Sequence, residues 1–441
     1  MGSTRSSTGG PRRMGTRWMI LFTLAWLAIW TVQLTPVQLL LPLQLDTHES
    51  EGAWIRGVVW SGLILSIGGL AGIIAGPVAG YLSDRTRSRW GRRRPWAIGG
   101  ALLAALSLVL TGLSSGPLAI GAAWVGVWIG LATASAALTA MIADQVTDQR
   151  GAASAVISSA QAAGIVLGVG AVVLLGLGIL DGYIALAALI AVVGVGTAVM
   201  LPDAPTAVAL RQAQRAGEGG AQRAGEGGGQ RAGGALRGRQ WFRSGALADS
   251  DFRLLLLGRL AVNIGNALGT ALLLFFLLHG IGSASAEDDL LLLIVIYTVF
   301  VVAASVTSGS LSDRRRRRKP FVLVAALVQA ASAVLILVSP TLVGTAIAAA
   351  IMGAGYGAFM AVSLAWTTDL LPSGADSARD LGVVNVSANL GQLIGPVLGA
   401  GLVALVGGFW LLFLAAGIFS VAGAVITHAT KESLSPHPAA R

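Results

Sequence analysis

Residues 76–96 read GPVAGYLSDRTRSRWGRRRPW, and this stretch decides the fold. An apolar run ends at Asp84, six arginines follow within ten residues, and a second apolar run starts at Trp96. A charged side chain at the centre of a bilayer costs about 2.5–3.5 kcal/mol on insertion scales, so six guanidinium groups are not expected in hydrocarbon. The stretch is therefore predicted to be a turn at the water side of a membrane, between two membrane-spanning helices.

The composition of the whole chain agrees with a membrane protein that crosses the bilayer many times. Its 441 residues are 55% hydrophobic and 11% charged, whereas soluble domains carry about 25% charged residues. No cysteine is present, which excludes disulfides and thiolate metal sites. The net charge of +10 comes from arginines between apolar runs, so no nucleic-acid partner is expected. No cofactor and no metal site are expected either.

Hydropathy predicts twelve spans, each long enough to cross a hydrocarbon core about 30 Å thick. Numbered 1 to 12 along the chain, their approximate limits are 18–41, 55–83, 96–115, 117–143, 151–178, 182–201, 252–281, 288–312, 320–339, 341–370, 380–406 and 408–428. The predicted fold class is an all-α membrane protein with two six-helix bundles. The predicted segments are a tail at 1–17, bundles at 18–201 and 251–428, a flexible Gly/Arg-rich cytoplasmic linker at 202–250 and a tail at 429–441.

The charges of the loops predict how the chain is oriented. Short loops rich in arginine stay on the cytoplasmic side. With both termini inside, the outer loops hold one cation, Arg56, and a group of acids: Asp46, Glu49, Glu51, Asp181, Glu287, Asp288 and Asp289. We therefore expect a multi-pass cell-membrane protein with both termini cytoplasmic, and we expect a bacterial inner membrane and a monomer.

The two halves of the chain repeat each other. GYLSD at 80–84 ends span 2 and GSLSD at 309–313 ends span 8, and arginines follow each motif. Aligning Gly151 with Gly382 matches Gln161 with Gln392, and places glycines four residues apart at equivalent points of spans 5 and 11. Such spacing lets helix backbones approach closely. Two parallel six-helix repeats are typical of secondary transporters, whose binding site lies near the membrane midplane.

At these residues the chain resembles the major facilitator superfamily, whose loop between helices 2 and 3 carries the pattern G-x-x-x-D-R-x-x-x-R-R. The matching residues are Gly80, Asp84, Arg85, Gly91, Arg92 and Arg93. The longer form SDRTRSRWGRRRPW is similar to that of the sucrose and glycoside-pentoside-hexuronide symporters. This resemblance implies a transporter, and it covers nearly all of the chain except the linker and tails.

The resemblance also implies a conformational latch on the cytoplasmic side. The loop acid of the family lies against the start of helix 11 when that side is closed. By the repeat, Asp84 is expected near Arg379, and Asp313, which Arg314 follows, is expected near Arg150. The attraction would combine a helix dipole with an ion pair. The alternative is that these loops only fix the topology of the helices.

The substrate path is expected to carry hydrogen-bonding groups at mid-depth. The candidates are the amides Gln33, Gln161, Asn263, Asn266, Asn389 and Gln392, with the aromatic side chains Trp30, Trp128 and Tyr356; Tyr297 and Trp366 are further aromatics at this depth. Amides and aromatic faces suit a neutral polyhydroxyl ligand such as a sugar. The alternative for each amide is a helix–helix hydrogen bond, worth about 0.6 kcal/mol on average.

The sequence leaves the coupling ion open. Symporters of this branch use carboxylates within helices 1, 2 or 4, and spans 1, 2 and 4 contain none at depth, so H⁺ and Na⁺ both stay open as coupling ions. His279 is a coupling candidate because histidine changes its charge near neutral pH; the alternative is an interfacial anchor. Arg259, about two turns into span 7, is expected to extend to the cytoplasmic surface.

Together these features predict a secondary active transporter that moves a small polar solute, a sugar or glycoside, across the bilayer by rocker-switch alternating access. A proton-coupled exporter of drugs or metabolites and a non-transporting membrane sensor are the alternatives. An enzyme is not expected, because the four histidines are scattered along the chain and no cysteine is present.

Overall fold

The computed structural model describes residues 16–46, 52–88, 90–145, 150–201, 249–370 and 377–430, without the side chains of 142–155, 377–383 and 385–388. The predicted linker and the two tails therefore lie almost wholly outside the described residues. Within the described part, all regular structure is helical.

Twelve helices have the length and composition of membrane spans, which confirms the number predicted from hydropathy. In chain order they are α1 Thr16–Leu45, α2 Ala53–Arg85, α3 Arg94–Leu113, α4 Pro117–Gln145, α5 Arg150–Leu174, α6 Ile179–Met200, α7 Ser250–Ala271, α8 Ala286–Arg315, α9 Lys319–Val338, α10 Leu342–Asp369, α11 Ser377–Val406 and α12 Trp410–His428. Prolines at the starts of α3, α4 and α9 fit a position where their missing N–H leaves no bond unmade.

Three of the predicted spans are interrupted at places that hydropathy does not reveal. In α6 the residues Ile190–Gly194 form a π-helical turn. In α1 the five residues Pro36–Leu40 form a π-helical turn, consistent with the missing N–H of the proline. The predicted span 252–281 divides into α7, a helical turn Leu273–Phe275 and a π-helical turn Phe276–Ile281 that ends at Gly282 with φ 75°. This last turn carries His279.

By their internal contacts the described residues fall into two units. The first comprises residues within 1–35, 70–168 and 177–228, and the second comprises residues within 36–69, 169–176 and 229–441. The division therefore runs across α1, α2 and α5. The predicted bundles at 18–201 and 251–428 stay a prediction.

In the second unit α7 lies at the centre. Of an 18-residue apolar stretch in this helix 72% of the residues are buried, against 17% for the corresponding stretch of α8. Leu268, Phe275 and Phe413 belong to the apolar cluster around it. In the first unit α3 packs on α4 through glycine: a Cβ added to Gly100 would lie 2.6 Å from the backbone oxygen of Gly130.

The glycines of α5 and α11 do allow close helix approach, as their spacing predicts. In the first unit a Cβ on Gly164 would lie 2.9 Å from the backbone nitrogen of Thr31, and Gly168 lies against Thr35, so α5 packs on α1. In the second unit Gly395 lies against Ala267, so α11 packs on α7. The same pair of helices in each repeat therefore makes the same kind of contact.

Candidate functional site

Three polar residues of α7, Arg259, Asn263 and Asn266, follow one another at spacings of four and three residues. Such spacing places them on one face of the helix. They are 2%, 1% and 4% exposed, so this face is directed into the second unit. A buried polar group destabilises the fold unless it is hydrogen-bonded, and the partners of these three residues therefore define the site.

Each asparagine is bonded by a tyrosine from another helix. The Tyr356 hydroxyl of α10 donates to Oδ1 of Asn263 at 2.9 Å, and the Tyr297 hydroxyl of α8 donates to Oδ1 of Asn266 at 2.9 Å. The amide nitrogen of Asn263 donates to the Arg259 carbonyl at 2.7 Å, which fixes which end of that amide faces the tyrosine. The two phenol rings are stacked with centroids 6.5 Å apart. The amides thus hold the tyrosines, and the half-buried tyrosines form the outer layer of the cluster.

Arg259 completes this cluster, and its position corrects the expectation that it extends to the cytoplasmic surface. Its side chain is buried, and Nη1 donates to Oγ of Ser363 in α10. Its Nε has no partner, and among the described residues no carboxylate lies within ion-pair distance of it. The surface prediction is wrong because α7 is enclosed on nearly all sides, which hydropathy of one segment cannot show. Ser363 was not identified from the sequence.

The candidates of the first unit are three residues of α1 and α4. Gln33, Trp30 and Trp128 are each half-buried. The indole N–H groups of Trp30 and Trp128 are buried without a hydrogen-bond partner among the described residues. A Cβ on Gly72 would lie 2.6 Å from the Trp128 ring, so this ring packs on α2. Both indole donors are buried in this conformation, so their role in a substrate path stays a prediction.

The symmetric amides of α5 and α11 are placed differently from those of α7. Gln161, Asn389 and Gln392 are exposed side chains in their own units, and no hydrogen bond is described for them. Next to Gln392, the Leu393 carbonyl accepts a bond from Ser66 of α2 at 2.6 Å. The role of these three amides in a substrate path stays a prediction.

His279 has a partner that the sequence does not indicate. Its Nε2 lies 2.9 Å from Oδ1 of Asp46, the residue that ends α1. The Asp46 side chain is 4% exposed and the His279 side chain 20%. The imidazole ring stacks on Trp54 of α2, with centroids 4.9 Å apart and 12° between the planes.

The two arginine-rich loops share one arrangement. In the first, Arg93 donates to Ser83 Oγ at 2.6 Å and pairs with Asp84 Oδ1 at 2.6 Å. The next cation, Arg94, donates to the Leu201 carbonyl at the end of α6 at 2.7 Å. Each bond ties the loop to the end of a helix.

In the second loop Arg318 donates to Ser312 Oγ at 3.2 Å and pairs with Asp313, while Lys319 donates to the Thr430 carbonyl beyond α12 at 3.0 Å. Arg318 also pairs with Asp369 at 3.1 Å. Partial burial alone would lower the pKa of Arg318, but the hydrogen bonds and charges of Asp313 and Asp369 raise it above its usual value. The Ser-Asp motif of each repeat therefore binds an arginine of its own loop.

The predicted latch partners, Arg150 and Arg379, have side chains outside the described residues, so the latch stays a prediction. Of its other members, Gly91 is buried with φ 105° and Arg85 lies over the Tyr81 ring at 4.0 Å. The remaining members are Gly80, which is half-buried, Arg92, which is partly exposed, and Arg314, which is exposed.

Comparison with curated proteins gives short matches. A segment of 46 residues is 54% identical to an uncharacterized symporter of Synechocystis sp., over 10% of this chain and 8% of that protein. A segment of 53 residues is 49% identical to the general alpha-glucoside permease of Schizosaccharomyces pombe, over 12% of this chain and 10% of that protein. A segment of 48 residues is 44% identical to the sucrose transport protein SUT1 of Oryza sativa subsp. japonica, over 11% and 9%. The matches span about a tenth of each relative.

Comparison with solved structures covers nearly the whole chain. A D-xylose-proton symporter superposes with a TM-score of 0.67 at 16% identity, over 93% of this chain and 97% of that one. The nucleoside transporter NupG superposes with a TM-score of 0.69 at 15% identity, over 95% and 98%. These similarities show the fold. The family model of the Major Facilitator Superfamily matches residues 5–169, 61–286 and 254–440, and the chain belongs to that superfamily of transporters.

Proposed function

We propose that this protein is a secondary carrier of a neutral polyhydroxyl solute, a sugar of the α-glucoside type, and that it works by rocker-switch alternating access. The observation that carries the proposal is the pair of tyrosines, Tyr297 and Tyr356, held by buried amides of α7. A hydroxyl bound by an amide keeps acceptor capacity for a solute hydroxyl. Aromatic faces beside such groups suit the C–H surfaces of a sugar ring.

The choice of an α-glucoside rests on the relatives named for alpha-glucoside and sucrose transport. A nucleoside is the second candidate, since NupG shares the fold and the stacked pair of tyrosine rings could hold a base. A proton-coupled exporter, which would move its solute out of the cell, stays the alternative. The arginine-rich loops support a cytoplasmic location for both termini in a cell membrane. The carrier is proposed to act as a monomer.

Solute counterflow with the purified protein tests this function. Proteoliposomes loaded with unlabelled solute would be diluted into a trace of the same radiolabelled solute, with sucrose, maltose, D-xylose and uridine compared. We expect transient accumulation of label with sucrose or maltose, abolished by an excess of unlabelled sugar outside. Accumulation of label with uridine alone would show that the solute is a nucleoside and not a sugar. Vesicles that accumulate none of the four would contradict the proposed function.

A further inference from the structure

The contact between Asp46 and His279 joins the residue that follows α1 to the π-helical turn after α7. Asp46 has left the helix: its backbone is extended, and its N–H bonds the Pro42 carbonyl at 2.9 Å. This conformation directs the carboxylate toward the ring, where Oδ1 and Nε2 lie 2.9 Å apart. The contact depends on where α1 ends and on the π-helical turn, and the hydropathy does not reveal the π-helical turn.

The surroundings of the pair are largely aromatic, and they cover the carboxylate more completely than the imidazole. Trp54 stacks on the imidazole and also on Phe409, whose ring lies 5.4 Å from it, and Phe275 lies 6.4 Å from the imidazole. A carboxylate that is 4% exposed among such rings has lost most of its hydration. Burying a carboxylate without a partner is strongly unfavourable, so its attraction to the imidazole stabilises it there.

The charge of the pair depends on one proton. With a neutral imidazole the pair carries one negative charge; with a protonated imidazole it carries none, and the two groups form an ion pair. A protonated ring is also attracted to the face of Trp54. Histidine gains and loses its proton within about pH 5 to 8. Both attractions are therefore present where the ring is charged and are lost as the pH rises and the proton leaves.

Few other charges are present on the described residues of the elements that meet here. On α8 the buried Asp289 accepts a hydrogen bond from Ser283, while Glu287 and Asp288 are exposed. On α2 Arg56 is exposed. The Asp46 carboxylate lies 2.9 Å from the imidazole, so its interaction with the ring responds directly to protonation of the ring.

We propose that Asp46 and His279 form a proton-binding site that closes this end of α1, α2 and α7. One proton binds the imidazole from the adjoining water, with no bond to any solute formed or broken. The resulting ion pair and the Trp54 stack hold the start of α2 and the end of α1 on the π-helical turn. When the proton leaves, the contact weakens and this end can open. The proposal rests on the proposed function for its role in transport, but not for its conformational effect.

The conformational effect can be measured without knowing the solute. Because the chain has no cysteine, spin labels can be placed specifically at Arg56→Cys and Ala284→Cys, two exposed positions on either side of the pair. We expect the population with the shorter label distance, measured by pulsed EPR, to be at least about threefold larger at pH 5.5 than at pH 8. H279Q and D46N retain hydrogen-bonding groups but not the ion pair. In H279Q the distance distribution should not change with pH, and in D46N, where the Trp54 stack remains, the change should be clearly smaller than in the wild type.

The variant H428Q is the matched control, because His428 is an exposed histidine at the end of α12; it should behave as the wild type does. Distance distributions that are the same at both pH values in the wild type would overturn the proposal. So would a pH dependence that persists in both H279Q and D46N.

A second measurement connects the site to transport. Sucrose counterflow in the wild type should change with pH by at least about threefold between pH 5.5 and pH 8; H279Q should remove this dependence and D46N should reduce it. Wild-type vesicles without any counterflow would contradict the proposed function, and the spin-label distances would then decide the proton site alone. Counterflow that keeps its pH dependence in both variants would contradict the proton site and leave the carrier function standing.

Discussion

At the scale of single residues, the most informative side chain is Arg259. It is 2% exposed in a helix that crosses the membrane. Its Nη1 bonds Ser363, a neutral group, and its Nε has no hydrogen-bond partner in the part of the chain that the structure describes. A buried cation without a counter-charge destabilises a fold by several kcal/mol in order of magnitude. Ionisable residues kept inside membrane proteins at such a cost generally serve function.

Replacing Arg259 should therefore separate stability from activity. R259M keeps most of the volume and removes the charge, so we expect the purified protein to be more stable by about 1 kcal/mol or more. Sugar counterflow should fall at least about tenfold, because the site loses its charge. Apparent melting temperature in detergent and counterflow would be measured on the same preparation.

The control for this variant is R253M, at an exposed arginine of the same helix. R253M should change neither the apparent melting temperature nor the sugar counterflow appreciably. An R259M protein that is less stable than the wild type and transports normally would assign Arg259 a purely structural role.

Part of this site could be predicted from the sequence and part could not. The polar face of α7 was visible, since amides in an apolar run are conspicuous, and Asn263 and Asn266 are indeed brought together with Tyr356 and Tyr297. The partners Ser363 of Arg259 and Asp46 of His279 were not identified. They lie 104 and 233 residues away along the chain, and periodicity within one segment carries no information on such contacts.

At the scale of elements, each repeat closes its arginine-rich loop in the same way. The Ser-Asp motif that ends α2 binds Arg93, and the motif that ends α8 binds Arg318. A guanidinium can donate hydrogen bonds to a hydroxyl and a carboxylate at the same time because its N–H donors point in different directions within a fixed plane. In each repeat the arginine therefore binds the loop to the end of the preceding helix, independently of any further partner of the aspartate.

This arrangement predicts that lysine cannot replace Arg93. R93K retains the charge but not the two-pronged geometry, and the arginine is only 6% exposed. We expect the free energy of unfolding to fall by about 1–2 kcal/mol. The effect is no larger because the Asp84 side chain is 57% exposed and solvent screens its charge. The apparent melting temperature of the purified protein is the readout. R87K, at an exposed arginine of the same loop, should melt as the wild type does, and equal melting of all three proteins would contradict the two-pronged role.

Hydropathy is sufficient to predict the membrane spans but not the π-helical turns within them. All twelve spans were predicted, because an apolar run of about 20 residues bounded by charges has few alternatives to a membrane helix. The π-helical turns of Pro36–Leu40 and Phe276–Ile281 were not. Their residues are as apolar as those of the regular helix around them, so only the packing distinguishes them.

At the scale of the whole molecule, the internal repeat is expressed in contacts as well as in sequence. In each half the fifth helix of the repeat packs on the first through glycines, Gly164 on α1 and Gly395 on α7. Both loops use the same Ser-Asp-Arg arrangement, and both tie a cation to the end of the sixth helix. Such a duplicated scaffold is typical of carriers that expose one central site to either side in turn.

Alternating access itself is tested most directly by the reactivity of one residue from both faces of the membrane. Gln33→Cys, introduced into a chain without other cysteines, would be treated with a membrane-impermeant thiol reagent in right-side-out and in inside-out vesicles. Arg315→Cys and Ala284→Cys, both at exposed positions, define the two faces, and each should react from one face only. The account predicts that Gln33→Cys reacts from both faces and that sucrose slows both reactions; reaction from a single face, unchanged by sucrose, maltose or uridine, would contradict it.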